Sequence, residues 1–272
     1  MRLAIPLSVR VCTALLLLVA VASVLLPYLS HWQVATLDWD HVGVSPSWRA
    51  GHVFGTDRLG RDLFVRTLAG VRVSLAIGLL ATLVSVVIGV SVGAVAGFLG
   101  GRTDALLMRL VDVLYSLPYI FFVILLTVSL GRSPLALLLA IAAVGWLTMA
   151  RVVRAQTQAL RQREFVTAAR AMGVSTPTIL WRHIIPNVAG PVVVYATLTV
   201  PSLILLESFL SFLGLGVQEP AASLGNLMAQ GAAEMEGAPW MLLVPGSFLV
   251  GIVLIIGILG DALRDWVDPR GR

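Results

Sequence analysis

The chain has 272 residues, of which 58% are hydrophobic and only 12% are charged, and its mean hydropathy is +0.94. These values exclude an ordinary soluble domain and predict an integral membrane protein with several spans and no sizeable soluble domain. All 19 basic residues are arginines, which excludes a phosphate-binding loop of the Gly-x-x-x-x-Gly-Lys-[Ser/Thr] type. The single cysteine, Cys12, excludes an internal disulfide and a multi-cysteine metal site. The arginines flank apolar runs, so no nucleic-acid partner is expected.

The first apolar run, residues 11–29, is long enough to cross the hydrocarbon core of a bilayer. A cleaved signal peptide is the alternative, because Ala20-Val21-Ala22 has the form of a cleavage site. The run continues for several residues beyond that site, which favours a retained anchor. We therefore expect residues 1–51 to hold a membrane anchor and the start of an external loop.

The next segment, 30–72, is polar and aromatic. Helical spacing of apolar residues from Leu59 to Leu75 predicts an amphipathic helix on the membrane surface that leads into the second span. Its polar side would carry Arg58, Arg61, Asp62 and Arg66. Several metal-ligating residue types also occur here, but no two have a recognised ligand spacing, so no metal site is expected. They are His31, Asp38, Asp40, His41 and His52.

Five further apolar runs complete the prediction of an all-α integral membrane protein with six transmembrane helices. They cover about 73–98, 106–130, a run after Pro134 that ends near Met149, 188–213 and 240–259. The second span carries two overlapping Gly-x-x-x-Gly pairs, which predict close helix packing, and the third is expected to kink at a proline. These residues are Gly89, Gly93, Gly97 and Pro118.

Six spans place both termini on one side of the membrane. The arginines concentrate at the N terminus, in the 99–105 turn, in the 151–187 segment and in the C-terminal tail, so the positive-inside rule predicts that these regions are cytoplasmic. The acidic loop 214–239, which contains no basic residue, would be external. The arginine-bearing segment 49–72 is the exception, since the rule would prefer it inside.

The segment between the fourth and fifth spans, Glu164 to Asn187, reads as two short water-facing helices. Phe165, Ala168, Ala169 and Met172 recur with helical spacing and are expected to share one face. The other side carries Glu164, Thr167 and Arg170. An apolar face with a charged rim suits docking into the groove of a partner protein. The alternative is a helix that rests on the inner leaflet.

Turn residues mark the boundaries of these two helices. Gly173 is expected to close the first helix in a left-handed conformation. Thr176 would cap the second helix, with Pro177 in its first position, and Pro186 would end it before the next span.

The stretch Thr167-Ala168-Ala169, with Gly173 and Ile184-Ile185-Pro186-Asn187, resembles the "EAA" loop of permease subunits in bacterial ABC importers. Matches elsewhere resemble the oligopeptide and dipeptide branch, and together they cover nearly the whole chain from His52 onward. They are Phe54-Gly55-Thr56-Asp57 with Gly60-Arg61-Asp62, Tyr115-Ser116-Leu117-Pro118, Ser211-Phe212-Leu213-Gly214-Leu215-Gly216 and Gly260-Asp261-Ala262-Leu263-Arg264-Asp265. Two departures are Thr167, where the family usually has Glu, and His183, where it has an apolar residue. Glu164, one helical turn earlier, would be the substitute for the missing carboxylate.

The resemblance implies a type I ABC importer permease fold, with a permease core at 52–272 and a cytoplasmic coupling segment at 155–187. It implies a subunit of the bacterial inner membrane that forms half of a peptide pathway. The implied partners are a second homologous permease, two cytoplasmic ATPase subunits or domains that bind the ATP, and an external solute-binding protein. The implied ATPase-coupling residues are Glu164, Phe165, Thr167, Ala168, Ala169, Arg170, Met172, Gly173 and Pro186.

Other functions are weighed against this one. No His-Glu-x-x-His or Gly-x-Ser-x-Gly motif occurs, so no catalytic residue, cofactor or resident metal is expected. An importer of the same type for nickel, glutathione or another small solute stays open. An ion-driven secondary transporter is disfavoured, because Glu207 is the only clear acid inside a span and no internal repeat is detectable.

Glu207 and Ser211 are candidate pathway residues, since helical spacing places them on one small, polar stripe. A carboxylate at this position should face protein or water rather than lipid. The alternative is that Glu207 hydrogen-bonds a neighbouring helix near the outer boundary of the membrane.

Overall fold

The computed structural model describes residues 6–48 and 51–267, and it is helical apart from its connecting loops. Arg2, Arg49, Arg270 and Arg272, which contribute to the arginine asymmetry, lie outside the described residues. The helices are α1 Leu7–Leu29, α2 Leu63–Leu99, α3 Gly101–Ser116, α4 Tyr119–Leu130, α5 Pro134–Arg161, α6 Glu164–Ala171, α7 Thr176–Ile179, α8 Ile185–Phe212, α9 Leu224–Ala233 and α10 Trp240–Val267. A short 3₁₀ turn covers Trp39–His41, and a π turn covers Leu180–Ile184.

Among the described residues, five helical stretches are long and apolar enough to cross a membrane: α1, α2, α5, the continuous stretch Thr176–Phe212, and α10. The pair α3 and α4 qualifies only together, and the two helices are bent by 87° at the break between them. Counting that pair as one span gives six, as predicted. The predicted kink is a full break, because Leu117 takes the extended conformation that a following proline favours.

The centre of the bundle is the long packing interface between α2 and α5. A Cβ atom added to Gly93 would lie 2.4 Å from the carbonyl oxygen of Ala150, and one added to Gly89 would lie 2.6 Å from the Cβ of Met149. Backbone can approach backbone this closely only where a side chain is missing. The close packing predicted from the two Gly-x-x-x-Gly pairs is therefore confirmed.

The second helix of the 164–187 segment does not end at Pro186, and that prediction is wrong. Its N-cap is Ser175, one residue before the predicted cap Thr176. The helix begins at Thr176 and runs through the π turn into α8. Pro186 lies in the first turn of α8, where its missing N–H is tolerated. The wide turn just before it, closed by the bond from the Ile185 N–H to the Leu180 carbonyl, accommodates the proline ring within a continuous helix.

The predicted surface helix over 59–75 is also wrong. Residues 57–60 form a turn, and α2 begins at Leu63 because the Asp62 carboxylate accepts the N–H of Val65 at 2.8 Å. Arg61 and Arg66, predicted to face water, are buried. The loop 214–239 likewise contains a helix, α9.

Candidate functional site

The helix α6 is the centre of the segment that was singled out for docking. Gly173 follows it at φ +78°, and its N–H donates to the carbonyl of Arg170 at 2.9 Å. The Val174 N–H reaches back to the Ala169 carbonyl at 3.1 Å. This is the left-handed helix closure predicted for Gly173. A Cβ atom at Gly173 would meet nothing within 4 Å, so within this chain only the backbone conformation requires glycine.

One side of α6 is fixed to the ends of two membrane-length helices. Val166 and Ala169 are buried in a cluster with Phe98 at the end of α2 and Val153 on α5. The Arg170 guanidinium lies 4.7 Å from the centre of the Phe98 ring, in cation–π contact. The inner side of α6 is therefore packed against both α2 and α5. Val166 was missed in the sequence analysis, although its spacing of three residues from Ala169 marks a second apolar edge.

The other side of α6 is open. Phe165 is 40% exposed and Met172 is 76% exposed, and Ala168 between them is exposed as well. Ala169, which was expected on this same face, turns inward instead. The polar residues Glu164, Thr167 and Arg170 are exposed around this apolar strip, and so is Pro186. We call Phe165, Ala168 and Met172 the docking strip.

Ion pairs brace the helices beside this element. The Arg154 guanidinium donates two hydrogen bonds to the Asp104 carboxylate, at 2.5 and 2.6 Å, and so ties α5 to the start of α3. A second pair joins the same two helices: Arg151 on α5 donates to Asp112 on α3 at 2.7 Å. Bidentate arginine–carboxylate pairs fix geometry as well as adding energy. These two pairs therefore tie α3 to α5, which is one of the helices against which α6 packs.

Glu207 is fully buried within the chain. Its carboxylate accepts hydrogen bonds from Ser74 on α2 at 2.5 Å, from Ser211 at 2.8 Å and from Ser208 at 3.2 Å. The Ser74 hydroxyl in turn accepts the N–H of Leu224, at the start of α9, at 3.4 Å. The carboxylate faces protein, as predicted, and it joins three helices. Those contacts are the ones expected of the alternative in which Glu207 binds a neighbouring helix.

An open cleft of about 460 Å³ lies where the third span is broken. It is bounded by α3, α4, α5 and α8 and combines aromatic rings, hydroxyl groups and apolar side chains. None of its polar members was predicted from the sequence to line a cleft, because they come from four helices that only the fold brings together. These members are Tyr115, Tyr119, Thr148, Tyr195, Thr199 and Ser202.

Ion pairs of the buried Arg61 side chain join the loops at the opposite end of the bundle from α6. Arg61 pairs with Asp57 at 2.6 Å and with Glu219 at 3.1 Å. The Arg61 guanidinium beside Glu219 holds the pKa of that carboxyl below its usual value. Of the five residues considered for a metal site, Asp38, His41 and His52 come together in this region. The sequence analysis missed this cluster because their spacing in the chain matches no recognised ligand pattern.

The described chain is a bundle of membrane-length helices with a broken third span and a short helix seated on two of the others, and it shares this fold with a chain of a solved ABC transporter. The chain superposes on two inward-facing crystal forms of the MetNI methionine ABC transporter with TM-scores of 0.59 and 0.61. The identities are 21% and 19%. The superpositions cover 73% and 76% of this chain, and 94% and 98% of the solved chains.

The family follows from sequence comparison. Residues 85–272 match the model of the binding-protein-dependent transport system inner membrane component, and the chain belongs to this family. It is 50% identical to the oligopeptide transport system permease protein OppC of Escherichia coli K12, over 94% of this chain and 85% of that protein. It is 48% identical to OppC of Haemophilus influenzae, over 90% and 79%. Identity to the dipeptide transport system permease protein DppC of Bacillus subtilis is 42%, over 95% and 80%.

The chain is therefore a multi-pass inner-membrane permease of a binding-protein-dependent ABC transporter, and it is a non-catalytic subunit. That membership implies an ATPase and a binding protein as partners. The resemblance based on the 164–187 segment and the matches around it is confirmed.

Proposed function

We propose that this chain forms half of the translocation pathway of an ATP-driven peptide importer, paired with a second homologous permease. Two cytoplasmic ATPase subunits or domains would bind the ATP, and an external solute-binding protein would deliver di- or oligopeptides. The names of the OppC and DppC relatives support the substrate class. The observation that carries the proposal is the docking strip on α6, an exposed apolar surface on a helix that is fixed to α2 and α5.

The geometry of α6 explains how such a subunit would respond to ATP. An amphipathic helix binds a groove through its apolar face, and the docking strip offers that face to a partner. The opposite edge, Val166 and Ala169, is packed against the ends of membrane-length helices. A push on α6 would therefore reach the spans without a flexible intermediate. Glu164 is exposed in the first turn of α6, within reach of a partner, where it would replace the acid missing at Thr167.

The test uses the double variant Phe165→Ala with Met172→Ala in the complete transporter. Truncating two apolar anchors at a docking surface is expected to weaken ATPase binding by about 1.4 kcal/mol or more, which is roughly tenfold at least. The matched control is Met235→Ala, which removes a methionine that is 55% exposed in the loop 214–239. Co-purification of the ATPase and substrate-stimulated hydrolysis in proteoliposomes are measured together. Unchanged ATPase binding by the double variant would refute the docking assignment.

The proposed orientation places both termini and segment 155–187 in the cytoplasm. The arginine distribution supports it, because the N terminus, the 99–105 turn, the 151–187 segment and the C-terminal tail carry most of the arginines and cytoplasmic loops are enriched in them. The test replaces Cys12 by Ser and introduces single cysteines near Arg161 and in the loop 214–239. An impermeant thiol reagent added to intact cells is expected to label only the loop. Labelling of the cysteine near Arg161 from outside would show that the orientation is the reverse of the one proposed.

The proposed organisation keeps residues 1–51 as an anchor with the start of the external loop, and 52–272 as the permease core. The cleft at the broken third span supports a pathway role, since its mixture of aromatic rings and hydroxyls suits a peptide backbone with varied side chains. Uptake of defined di- and oligopeptides by cells with and without the gene tests the substrate class. Loss of nickel or glutathione uptake instead, with peptide uptake unchanged, would assign the importer to another solute.

A further inference from the structure

The loop that follows α1 brings together three metal-ligating side chains at the end of the bundle opposite α6. Asp38 precedes the 3₁₀ turn Trp39–His41 and His41 ends it, whereas His52 comes from a separate turn ten residues before Asp62. The Asp38 Oδ2 atom lies 2.9 Å from the Nδ1 of His41 and 3.3 Å from the Nε2 of His52. The three ligand atoms all lie within 4.8 Å of one another.

The two separations from the Asp38 oxygen are close to those of ligands around one small cation. Zinc binds imidazole nitrogen and carboxylate oxygen at about 2.0–2.2 Å, so neighbouring ligands of a tetrahedral ion lie about 3.3 Å apart. The 3.3 Å from the Asp38 oxygen to the His52 nitrogen equals that value, and the 2.9 Å from the same oxygen to the His41 nitrogen is somewhat shorter. The His41 side chain is 41% exposed, and it is the member that can turn to complete the geometry.

His52 shows why a cation fits better than an ordinary hydrogen-bond network. Its side chain is fully buried, stacked against the Trp32 ring at 4.5 Å. Its Nδ1 faces the Asp62 carboxylate at 2.8 Å and so donates its proton there. In the neutral ring, the Nε2 then presents a lone pair to the Asp38 carboxylate, which is also an acceptor. A buried nitrogen acceptor that faces a partly exposed carboxylate is stabilised by a positive ion between the two.

The Asp62 contact is the arrangement that metal-bound histidines commonly use. A second carboxylate holds the ring through one nitrogen and directs the other at the metal. Asp62 is itself fixed, because its other oxygen accepts the Val65 N–H at the start of α2. The Thr56 hydroxyl donates to the His41 carbonyl at 2.5 Å and pins the turn that carries His41. The ligand set is therefore supported from both sides.

We propose that Asp38, His41 and His52 form a binding site for a divalent transition-metal ion, zinc in the first place, with a water molecule in the remaining position. Two imidazoles and one carboxylate are a ligand set suited to zinc rather than to magnesium or calcium. The ion would clamp the 38–41 turn onto the turn that leads into α2. Its role is structural: it would hold the loops at this end of the bundle in one arrangement.

The site is tested on the assembled transporter, purified through a histidine-free affinity tag and stripped with a chelator. Zinc binding is measured by equilibrium dialysis with elemental analysis, and cobalt serves as a visible-spectrum probe of nitrogen and oxygen ligation. His41→Ala removes one ligand, and it leaves the buried part of the cluster in place. His31→Ala is the matched control, since it removes an exposed histidine of the same loop.

We expect wild type and His31→Ala to bind one zinc ion per chain more than His41→Ala does, with affinity in the variant weakened at least tenfold. Asp62→Asn can still cap α2, but it alters the residue that hydrogen-bonds the ligand His52. Such changes typically weaken metal binding by about 10–100-fold, and we expect the same for zinc here. Zinc should also raise the melting temperature of wild type and not that of His41→Ala. Equal zinc binding and equal cobalt spectra in wild type and His41→Ala would overturn the proposal.

Discussion

The Arg61 guanidinium donates two hydrogen bonds to the Glu219 carboxylate, at 3.1 and 3.2 Å, although the two residues stand 158 positions apart. The same guanidinium bonds Asp57 at 2.6 Å. One arginine thus joins the loop before α2 to the loop after α8. Arg61 is 4% exposed, whereas Glu219 is 43% exposed, so the pair lies at the edge of a buried site.

The first prediction concerns the acid sensitivity of this pair. The hydrogen bond from Arg61 lowers the pKa of Glu219 below its usual 4.5. The resulting stabilisation is complete above pH 4.5 and is lost as the pH falls through the lowered folded pKa. Below pH 4.5, the melting temperature of Glu219→Gln should therefore decline less steeply with acidification than that of wild type. Glu236→Gln, an exposed acid of the same loop, is the control and should follow wild type. Parallel slopes for Glu219→Gln and wild type would contradict the pairing.

The second prediction concerns helix packing. Gly93→Ala places a methyl group 2.4 Å from the Ala150 carbonyl and 2.9 Å from the Cβ of Val153, so α2 and α5 must separate. We expect a loss of about 1–3 kcal/mol, as for other overpacked sites. Gly251→Ala is the control, because a methyl group there meets nothing within 4 Å on α10. Thermal unfolding of the purified chain distinguishes the two, and a Gly93→Ala protein as stable as Gly251→Ala would disprove the close contact.

The third prediction concerns coupling at Gly173. A leucine there is strained by about 1–2 kcal/mol, because φ is +78°. Gly214→Leu is a control of the same kind, since Gly214 also has a positive φ, +73°, and open space around its Cβ position. Both variants carry the same local strain, so only a partner seated on α6 makes them differ. ATPase binding, transport and substrate-stimulated hydrolysis should fall together in Gly173→Leu, with ATPase binding retained in Gly214→Leu. Normal transport by Gly173→Leu at normal expression would remove Gly173 from the docking surface.

The fourth prediction concerns Glu207. Gln keeps most of the volume and hydrogen bonding of Glu, so Glu207→Gln should assemble and transport differently charged peptides as wild type does. Glu207→Leu leaves three serine hydroxyls without their shared acceptor and should lower stability by about 1–3 kcal/mol. Uptake assays with cationic, neutral and anionic peptides, together with thermal unfolding, provide the measurements. A loss confined to one charge class in Glu207→Gln would establish the pathway role instead.

Much of the candidate site could be predicted from the sequence, because it depends on local geometry. Helical spacing marked Phe165 and Met172 as neighbours, and a glycine after the helix marked its end. The boundary at Pro186 was misplaced for a local reason too. A proline in a helix interior removes a backbone hydrogen bond and can break the helix, whereas a proline in a first turn is tolerated. The π turn before Pro186 has no sequence signature.

The amino-acid sequence by itself determined the membrane class, the number of spans and the closure at Gly173, because apolar run length, period and turn chemistry are properties of neighbouring residues. Its motifs also carried the resemblance to the family. Only the tertiary structure decided that Val166 faces inward while Phe165 stays exposed, that Arg61 reaches Glu219, and that His41 and His52 converge on one carboxylate. These outcomes depend on which helix ends and loops meet in space. A pattern of neighbouring residues does not specify which residues far apart in the chain come into contact.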